Sequence, residues 1–250
     1  MKKFLIRADD LGYSEGVNYG IAKSAIEGLV GSIGVMPNMD SVKHGLKLLE
    51  GHNFCLGQHT NICIGRPITD PERIPSLVNE NGEFKSSSEF RTAKEDFVDL
   101  NEVIIEIEAQ YNRFVELTGQ QPHYFEGHAV MSKNFFKGLE IVAQKHSLKY
   151  SGISFDGTPI RIGSTDVHIC QTNGINPDYD AVKAIYEAVE TAEDDGTYLY
   201  VCHPGYLDEY ILTHSSMTRP RTKEVEMLCD TKVKEMLEKS GVKCITYDDL

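Results

Sequence analysis

The chain has 250 residues and a formal net charge of −13 at pH 7. This acidic balance argues against binding to nucleic acid or to an anionic membrane, because both need a basic protein face. The length suits one large α/β domain, and we expect residues 1–250 to form a single domain. The six cysteines contain no C-x-x-C pair, which favours reduced, mostly buried thiols. Neither a signal peptide nor a membrane span is visible, so we expect a cytoplasmic protein.

The first ten residues end on two adjacent carboxylates, Asp9 and Asp10. Residues 3–8 are a short apolar-centred run and residues 11–14 are typical of a turn, which predicts a buried strand leading into a loop. Neighbouring carboxylates at a buried strand end repel each other unless a metal or a proton relieves the conflict. Strand side chains alternate in direction, although a bend at the strand end can bring both into one pocket. The alternative is a solvated acidic turn that caps the next helix.

The rest of the chain alternates predicted helices and strands. Helices are predicted after Ser14, over residues 41–50, from Phe90 to Thr118, over 134–146 and 178–192, and up to Lys239. Strands are predicted over residues 30–36, 54–62, 123–128, 148–154, 167–170, 197–202 and 242–246. Residues 66–88 and 207–222 are predicted to be long surface excursions, which are often lids or binding loops. The alternation predicts a parallel sheet, either open and doubly wound or closed, and the strand count favours a distorted barrel.

Three histidines share the position of the acidic pair, at or just after the end of a predicted strand. They are His59, His128 and His203, and the carboxyl ends of parallel strands meet at the active-site face of such folds. A carboxylate with two imidazoles suits a divalent cation such as Zn²⁺ and leaves positions open for water and substrate. Any one of these histidines alone is more often structural. The other histidines show no such coherence, although His214 in the second excursion has a weak claim to contact substrate.

Together these motifs resemble the YdjC-like carbohydrate deacetylases, a family that includes the chito-oligosaccharide deacetylases of bacterial cytoplasm. The resemblance rests on residues 8–12, 57–61, 126–128 and 203–206, and on an Arg-x-x-Glu segment formed by Arg221 and Glu224. It spans nearly the whole chain. It implies an α/β fold, a distorted (β/α) barrel of the glycoside hydrolase/deacetylase type, which binds one divalent metal ion, zinc or magnesium.

The resemblance also implies roles for individual residues. Asp10, His59 and His128 match the family's metal ligands, and Asp9 matches its catalytic base. The implied reaction is hydrolysis of the N-acetyl group of a sugar such as a chito-oligosaccharide, with release of acetate. The metal would polarise the amide carbonyl and activate water, Asp9 would take the proton of that water, and the leaving amine would need a proton. His203 is the candidate for this acid, and return of the proton by Asp9 is the alternative.

Arg221 and Glu224 are expected to orient a catalytic residue by charge-assisted hydrogen bonds, or else to form an ordinary ion pair at a helix start. Two other functions are open. The same ligands would serve another metal hydrolase, acting on a phosphoester or a different amide. A sugar-binding protein could also keep the fold without turnover, although the presence of both Asp9 and Asp10 speaks against it.

The chain departs from the family pattern at residues 60–62 and 129–131, which leaves the sugar-facing surface undefined. The expected partner is a small oligosaccharide or a sugar phosphate. The sequence leaves open which of these it is, which metal binds, and whether the chain forms a homodimer.

Overall fold

The structure is a computed structural model that describes residues 1–154, 156–172, 174, 176 and 178–250. Strands and helices alternate along the chain, as the sequence pattern predicts. The strands are β1 (Lys3–Leu11), β2 (Ser32–Val35), β3 (Cys55–Thr60), β4 (Tyr124–Gly127), β5 (Lys149–Tyr150), β6 (Ile160–Ile162), β7 (Thr165–Ile169), β8 (Thr197–Cys202) and β9 (Lys243–Ile245). The helices are α1 (Glu15–Ile26), α2 (Val42–Leu48), α3 (Ser87–Thr92), α4 (Leu100–Thr118), α5 (Lys133–Lys145), α6 (Ala181–Thr191), α7 (Glu209–His214), α8 (Arg219–Cys229) and α9 (Thr231–Lys239).

The strands form one sheet in the order β5-β4-β3-β2-β1-β8-β7-β6, with β9 also paired to β1. The pairing is parallel except between β6 and β7, which form an antiparallel ribbon. Tyr124 near one edge of this order and Ile162 at the other edge belong to the same buried apolar cluster. The sheet therefore curls into a nearly closed barrel, which confirms the predicted distorted (β/α) barrel.

The long helix predicted from Phe90 to Thr118 is interrupted, so this prediction is wrong at its beginning. Helix α3 ends at Thr92 and is followed by Ala93, whose backbone is extended. Helix α4 begins after Asp99, whose side chain accepts two backbone N–H groups. Phe90 and Phe97 still pack together, with ring centroids 4.8 Å apart. Their apolar spacing continues the helical period through a loop. The sequence pattern therefore predicts a helix over residues where the chain is not helical.

The first predicted excursion is more buried than expected. Ile74, Leu77 and Phe84 within it are buried. The carboxylate of Glu106 on α4 accepts the backbone N–H groups of Ile68 and Thr69, at 3.1 and 2.9 Å. This segment is therefore a packed connection that is anchored to α4, rather than a loop lying over the surface.

Three smaller boundaries also differ from the prediction. The second excursion contains α7 and the first turn of α8, and the helix predicted to reach Lys239 breaks at Asp230, which caps α9. The strand predicted over residues 148–154 is reduced to the two residues of β5.

Among the residues that the structure describes, no helix is long and apolar enough to cross a bilayer.

Candidate active site

The carboxyl end of β1 turns both members of the acidic pair into one pocket. The register between β1 and β2 shifts between Ala8 and Leu11, and Asp10 has a φ angle of 81°. Aspartate tolerates this left-handed region better than most residues. Asp9 and Asp10 are both buried, and each places a carboxylate oxygen within 4.8 Å of a ring nitrogen of His59. The irregularity thus overrides the alternation of side chains that a regular strand would impose.

Three buried side chains direct donor atoms at one point. Asp10 Oδ1 lies 3.1 Å from His59 Nε2 and 3.0 Å from His128 Nδ1, and the two ring nitrogens are 2.9 Å apart. Donor atoms that share a divalent ion at about 2.0–2.2 Å are separated by roughly 3 Å when their bonds to it are near right angles. One carboxylate and two imidazoles at this spacing fit a divalent cation, so the residues present suit the metal that the fold family implies.

The other ring nitrogen of His59 is held from behind by Glu126, whose Oε1 contacts His59 Nδ1. A carboxylate in this position fixes the tautomer and the orientation of a metal-binding imidazole. Asp9, His59 and Glu126 form a second group with ligand atoms close together. The first group is the better candidate for the metal site, because the Arg7 guanidinium already contacts the carboxylates of both Asp9 and Glu126 in the second group.

Asp9 is fixed by a two-point contact with Arg7. Arg7 Nε and Nη2 donate to the two carboxylate oxygens of Asp9, each at 2.7 Å, and Arg7 Nη1 donates to Tyr247 Oη at 2.7 Å. Burial raises the pKa of Asp9, but the charge and hydrogen bonds of Arg7, together with the neighbouring histidines, outweigh burial and the net shift is downward. Asp9 is therefore an oriented anion that stands beside the three-donor group and is not one of its members.

Helix α8 closes the other side of the pocket. Arg221 Nη2 donates to Asp10 Oδ2 at 2.7 Å, which leaves Asp10 Oδ1 free to face the two imidazoles. Glu224 accepts the backbone N–H of His203, and Arg221 Nη1 lies 3.4 Å from the carbonyl oxygen of His203. Burial raises the pKa of Glu224 to about 7. Arg221 and Glu224 thus contact Asp10 and the backbone of His203.

His203 follows β8 and lies close to the acidic pair. Burial lowers its pKa to about 4, and the nearby charges of Asp10 and Asp9 only partly oppose this. Its imidazole is therefore neutral near pH 7 in the resting site. A neutral histidine has to gain a proton before it can donate one, which the sequence could not show.

The chain is similar to known proteins along nearly its whole length. The family described as YdjC-like protein matches residues 3–239. The chain belongs to the YdjC-like family. It is similar to a carbohydrate deacetylase of Geobacillus stearothermophilus, with 32% identity over 97% of this chain and 96% of the relative. It is also similar to a chitooligosaccharide deacetylase of Citrobacter koseri, with 25% identity over 98% of each chain.

Solved structures share the fold of this YdjC-like protein. A crystal structure from Enterococcus faecalis, described as a cellobiose-phosphate cleavage protein, superposes with a TM-score of 0.83 at 24% identity, covering 99% of this chain and 98% of that one. A family 4 acetyl xylan esterase from Clostridium thermocellum, solved with a cobalt ion, gives a TM-score of 0.50 at 14% identity, over 99% and 89% of the two chains. The predicted deacetylase-type barrel is thus the fold observed.

Sequence reasoning missed three residues that shape the pocket of this YdjC-like protein. Arg7 lies within the apolar-centred run of residues 3–8, but an arginine two positions before Asp9 points to the same side of a strand as Asp9 does. Tyr247 reaches Arg7 from the far end of the chain, and only the folded barrel reveals it. Tyr13 lies edge-on to His128, with ring centroids 6.0 Å apart, and its ring also faces the Arg221 guanidinium.

Proposed function

We propose that this protein is a metal-dependent carbohydrate deacetylase, which hydrolyses the N-acetyl group of a sugar such as a chito-oligosaccharide and releases acetate. The observation that supports it most is the convergence of Asp10, His59 and His128 beside a separate, oriented carboxylate, Asp9. Binding a sugar needs no such carboxylate, whereas hydrolysis needs a base. The names of the similar carbohydrate and chitooligosaccharide deacetylases support the same reaction.

In this proposal Asp10, His59 and His128 hold one divalent cation, zinc or magnesium. When bound, the cation supplies Lewis-acid activation to the acetyl carbonyl and to a water molecule. Arg221 keeps one oxygen of Asp10 occupied, and Glu126 keeps His59 in the tautomer whose Nε2 is free to bind. These contacts arrange the three donors before any ligand arrives.

Asp9 is the proposed base for the attacking water. Both of its oxygens accept from Arg7, and a carboxylate oxygen has lone pairs left to accept a further hydrogen bond. Arg7 also restricts rotation of the Asp9 carboxylate, which would keep Asp9 available to a water molecule rather than to the cation. His203 is neutral at rest. After Asp9 has taken the proton of the attacking water, His203 receives this proton and passes it to the leaving amine.

The experiment is to measure bound metal and acetate release on the same protein preparation. We expect about one divalent ion per chain, release of acetate from diacetylchitobiose, loss of this activity on chelation, and its return on addition of zinc or magnesium. Phosphate release from a generic phosphoester serves as the comparison. Acetate release that survives complete removal of metal would contradict the metal dependence, and phosphate release without acetate release would point to the other hydrolase class.

A further inference from the structure

Three side chains that can each bind a metal meet at the amino end of the strands, opposite the candidate active site. Cys55 is the first residue of β3, His123 lies directly before β4, and Asp248 lies in the C-terminal turn (Tyr247–Asp249) that follows β9. One sulfur, one nitrogen and one oxygen atom of these residues all lie within 4.8 Å of one another, and His123 Nδ1 is 2.5 Å from Asp248 Oδ1. We call these three residues the floor cluster.

The surroundings of the Cys55 sulfur provide donors that a thiolate can use. Ser32 pairs with Cys55 in the register of β2 and β3, so the two side chains lie on the same side of the sheet. The Ser32 hydroxyl is completely buried and makes no full hydrogen bond to any residue that the structure describes. This hydroxyl and the backbone N–H groups of Tyr247 and Asp248 face the sulfur and act to lower the pKa of Cys55.

The charge beside the sulfur has the wrong sign for a thiolate. Burial and the Asp248 carboxylate outweigh the three donors and raise the pKa of Cys55 to about 11. At pH 7 the sulfur is therefore a neutral thiol, although hydrogen-bond donors for its anion are already in place. A cation bound between the sulfur, the imidazole and the carboxylate would supply the missing positive charge.

We propose that the floor cluster is a second metal site, which binds Zn²⁺ or another thiophilic divalent cation and leaves a coordination position for water. Thiolate, imidazole and carboxylate are zinc ligands, whereas Mg²⁺ prefers oxygen ligands alone. The donor atoms of a tetrahedral zinc site are roughly 3.3–3.6 Å apart. The side chains of His123 and Asp248 are 30% and 56% exposed, so they have room to adjust to this spacing around Cys55.

The floor cluster should bind its ion reversibly. On binding, a sulfur–metal bond replaces the S–H bond of Cys55, and the proton passes to solvent. Displacing a proton from a thiol with a pKa of about 11 weakens binding at pH 7 by about 10⁴-fold relative to a preformed thiolate. We therefore expect this ion to leave on desalting, so that it does not add to the metal retained by the active site.

A bound ion would fix the C-terminal turn to the floor of the barrel. Asp248 follows Tyr247, whose hydroxyl accepts from Arg7 Nη1 at 2.7 Å and donates to Ser151 Oγ at 2.9 Å. The ion would join this turn to the start of β3 and to the segment before β4. Because it binds the closed turn and not the open one, it should suppress local opening at the end of the chain.

The test is a titration of the desalted protein with Co²⁺. A cobalt–thiolate bond gives an intense charge-transfer absorption in the near ultraviolet, which carboxylate and imidazole ligands do not give. We expect this absorption in the wild type, and we expect Zn²⁺ but not Mg²⁺ to displace the cobalt that causes it. Cys55→Ser should abolish the absorption. No such absorption at saturating Co²⁺ would overturn the site.

Cys63→Ser is the matched control for Cys55→Ser. Both cysteines are 4% exposed, but Cys63 lies beside His128 at the candidate active site, so its variant should keep the absorption. An absorption that is lost in Cys63→Ser and kept in Cys55→Ser would overturn the proposal, because the thiolate ligand would then belong to the active site.

His123→Ala tests the floor cluster through a partly exposed residue, where misfolding is not expected. Cobalt binding should weaken by about tenfold or more, whereas His52→Ala, at an exposed position, should bind as the wild type does. Unchanged affinity in His123→Ala would show that the cobalt is held by Cys55 without the cluster, and the site would be overturned.

Hydrogen exchange tests the effect on the turn. Zn²⁺ should slow exchange of the backbone N–H groups of residues 247–250 in the wild type but not in His123→Ala. Equal exchange with and without Zn²⁺ would overturn the fixing of the turn. These measurements do not involve acetate release, so their outcome leaves the deacetylase proposal to its own test.

Discussion

The two ends of the barrel interior bury opposite kinds of side chain. At the end where β1 begins, Leu5, Leu199 and Ile245 pack with Tyr124 and Tyr247, whose rings stack with centroids 3.7 Å apart. Two and four residues further along β1, the side chains on the same side of the strand are Arg7 and Asp9, both buried. One strand thus contributes first to an apolar floor and then to a charged pocket.

The difference shows how the fold can hold charges that are costly to bury. Taking an ion out of water costs several kcal/mol unless a partner compensates it. At the polar end Asp9 contacts Arg7, Asp10 contacts Arg221, and Glu126 contacts His59. Such pairs contribute little net stability, so the apolar end stabilises the barrel while the polar end is available for chemistry. Substitutions at the two ends should therefore have separable effects.

The largest effect on turnover is expected for His59→Ala, which removes a proposed ligand and the partner of Glu126. Activity and bound metal should be lost together, while circular dichroism stays that of a folded protein. His52→Ala, at an exposed position, is the matched control and should retain both. Full metal content in His59→Ala would take His59 out of the ligand set.

A slightly smaller loss is expected for Asp9→Asn, which keeps the shape of the side chain but removes the proposed base. Turnover should fall to background, roughly 10³-fold or more below wild type, with metal content near normal. Metal analysis and acetate release on one preparation provide the check. If Asp9→Asn loses its metal, Asp9 belongs among the ligands and the base must be sought elsewhere.

His203→Ala should lower kcat by about 10²–10⁴-fold, the usual range for one acid–base group, with little change in KM or metal content. Since burial holds the pKa of His203 near 4, wild-type activity should show no loss from deprotonation of His203 between pH 6 and pH 8. A pH–rate profile of both proteins checks this. An unchanged kcat in His203→Ala would return this residue to a structural role.

At the apolar end, Leu5→Ala should leave turnover per folded molecule unchanged but reduce the free energy of unfolding by about 2–5 kcal/mol. Leu5 is completely buried, so the shortened side chain leaves a cavity in the barrel floor. Leu212→Ala is the control, because that side chain is 55% exposed. Denaturant unfolding measures the difference, and an activity loss larger than the loss of folded protein would show that the two ends are coupled.

Much of the barrel could be predicted from the sequence because strands such as β2 and β8 are short, apolar and bounded by turn residues, whereas β6 was not predicted. The positions of Asp10, His59, His128 and His203 at strand ends were equally visible, since the carboxyl ends of parallel strands meet at one face. The contacts that orient these four side chains could not be predicted from the sequence. The Tyr247 hydroxyl meets Arg7 only after β9 has paired with β1, and no local pattern encodes that contact.

The boundary errors have a physical cause of a different kind. The apolar spacing from Phe90 to Leu100 fits a helix, but Asp96 uses its carboxylate to accept hydrogen bonds from Ser132 and from the backbone of Asn134 at the start of α5. This tertiary contact accompanies an extended backbone at Ala93. Periodicity reports which residues are buried, and it does not report where a distant side chain interrupts the helix.

The contact between Asp10 and Arg221 joins residues 211 positions apart, and His59, Glu126, His128 and His203 lie between them in the chain. During synthesis, Asp10 leaves the ribosome long before its guanidinium partner, Arg221, exists. Closing so long a loop comes late in folding, because non-local contacts repay their entropy only once the intervening chain is organised. The pocket should therefore be assembled only after nearly all of the barrel has formed. Partly folded intermediates that lack the contact between Asp10 and Arg221 should have no catalytic activity.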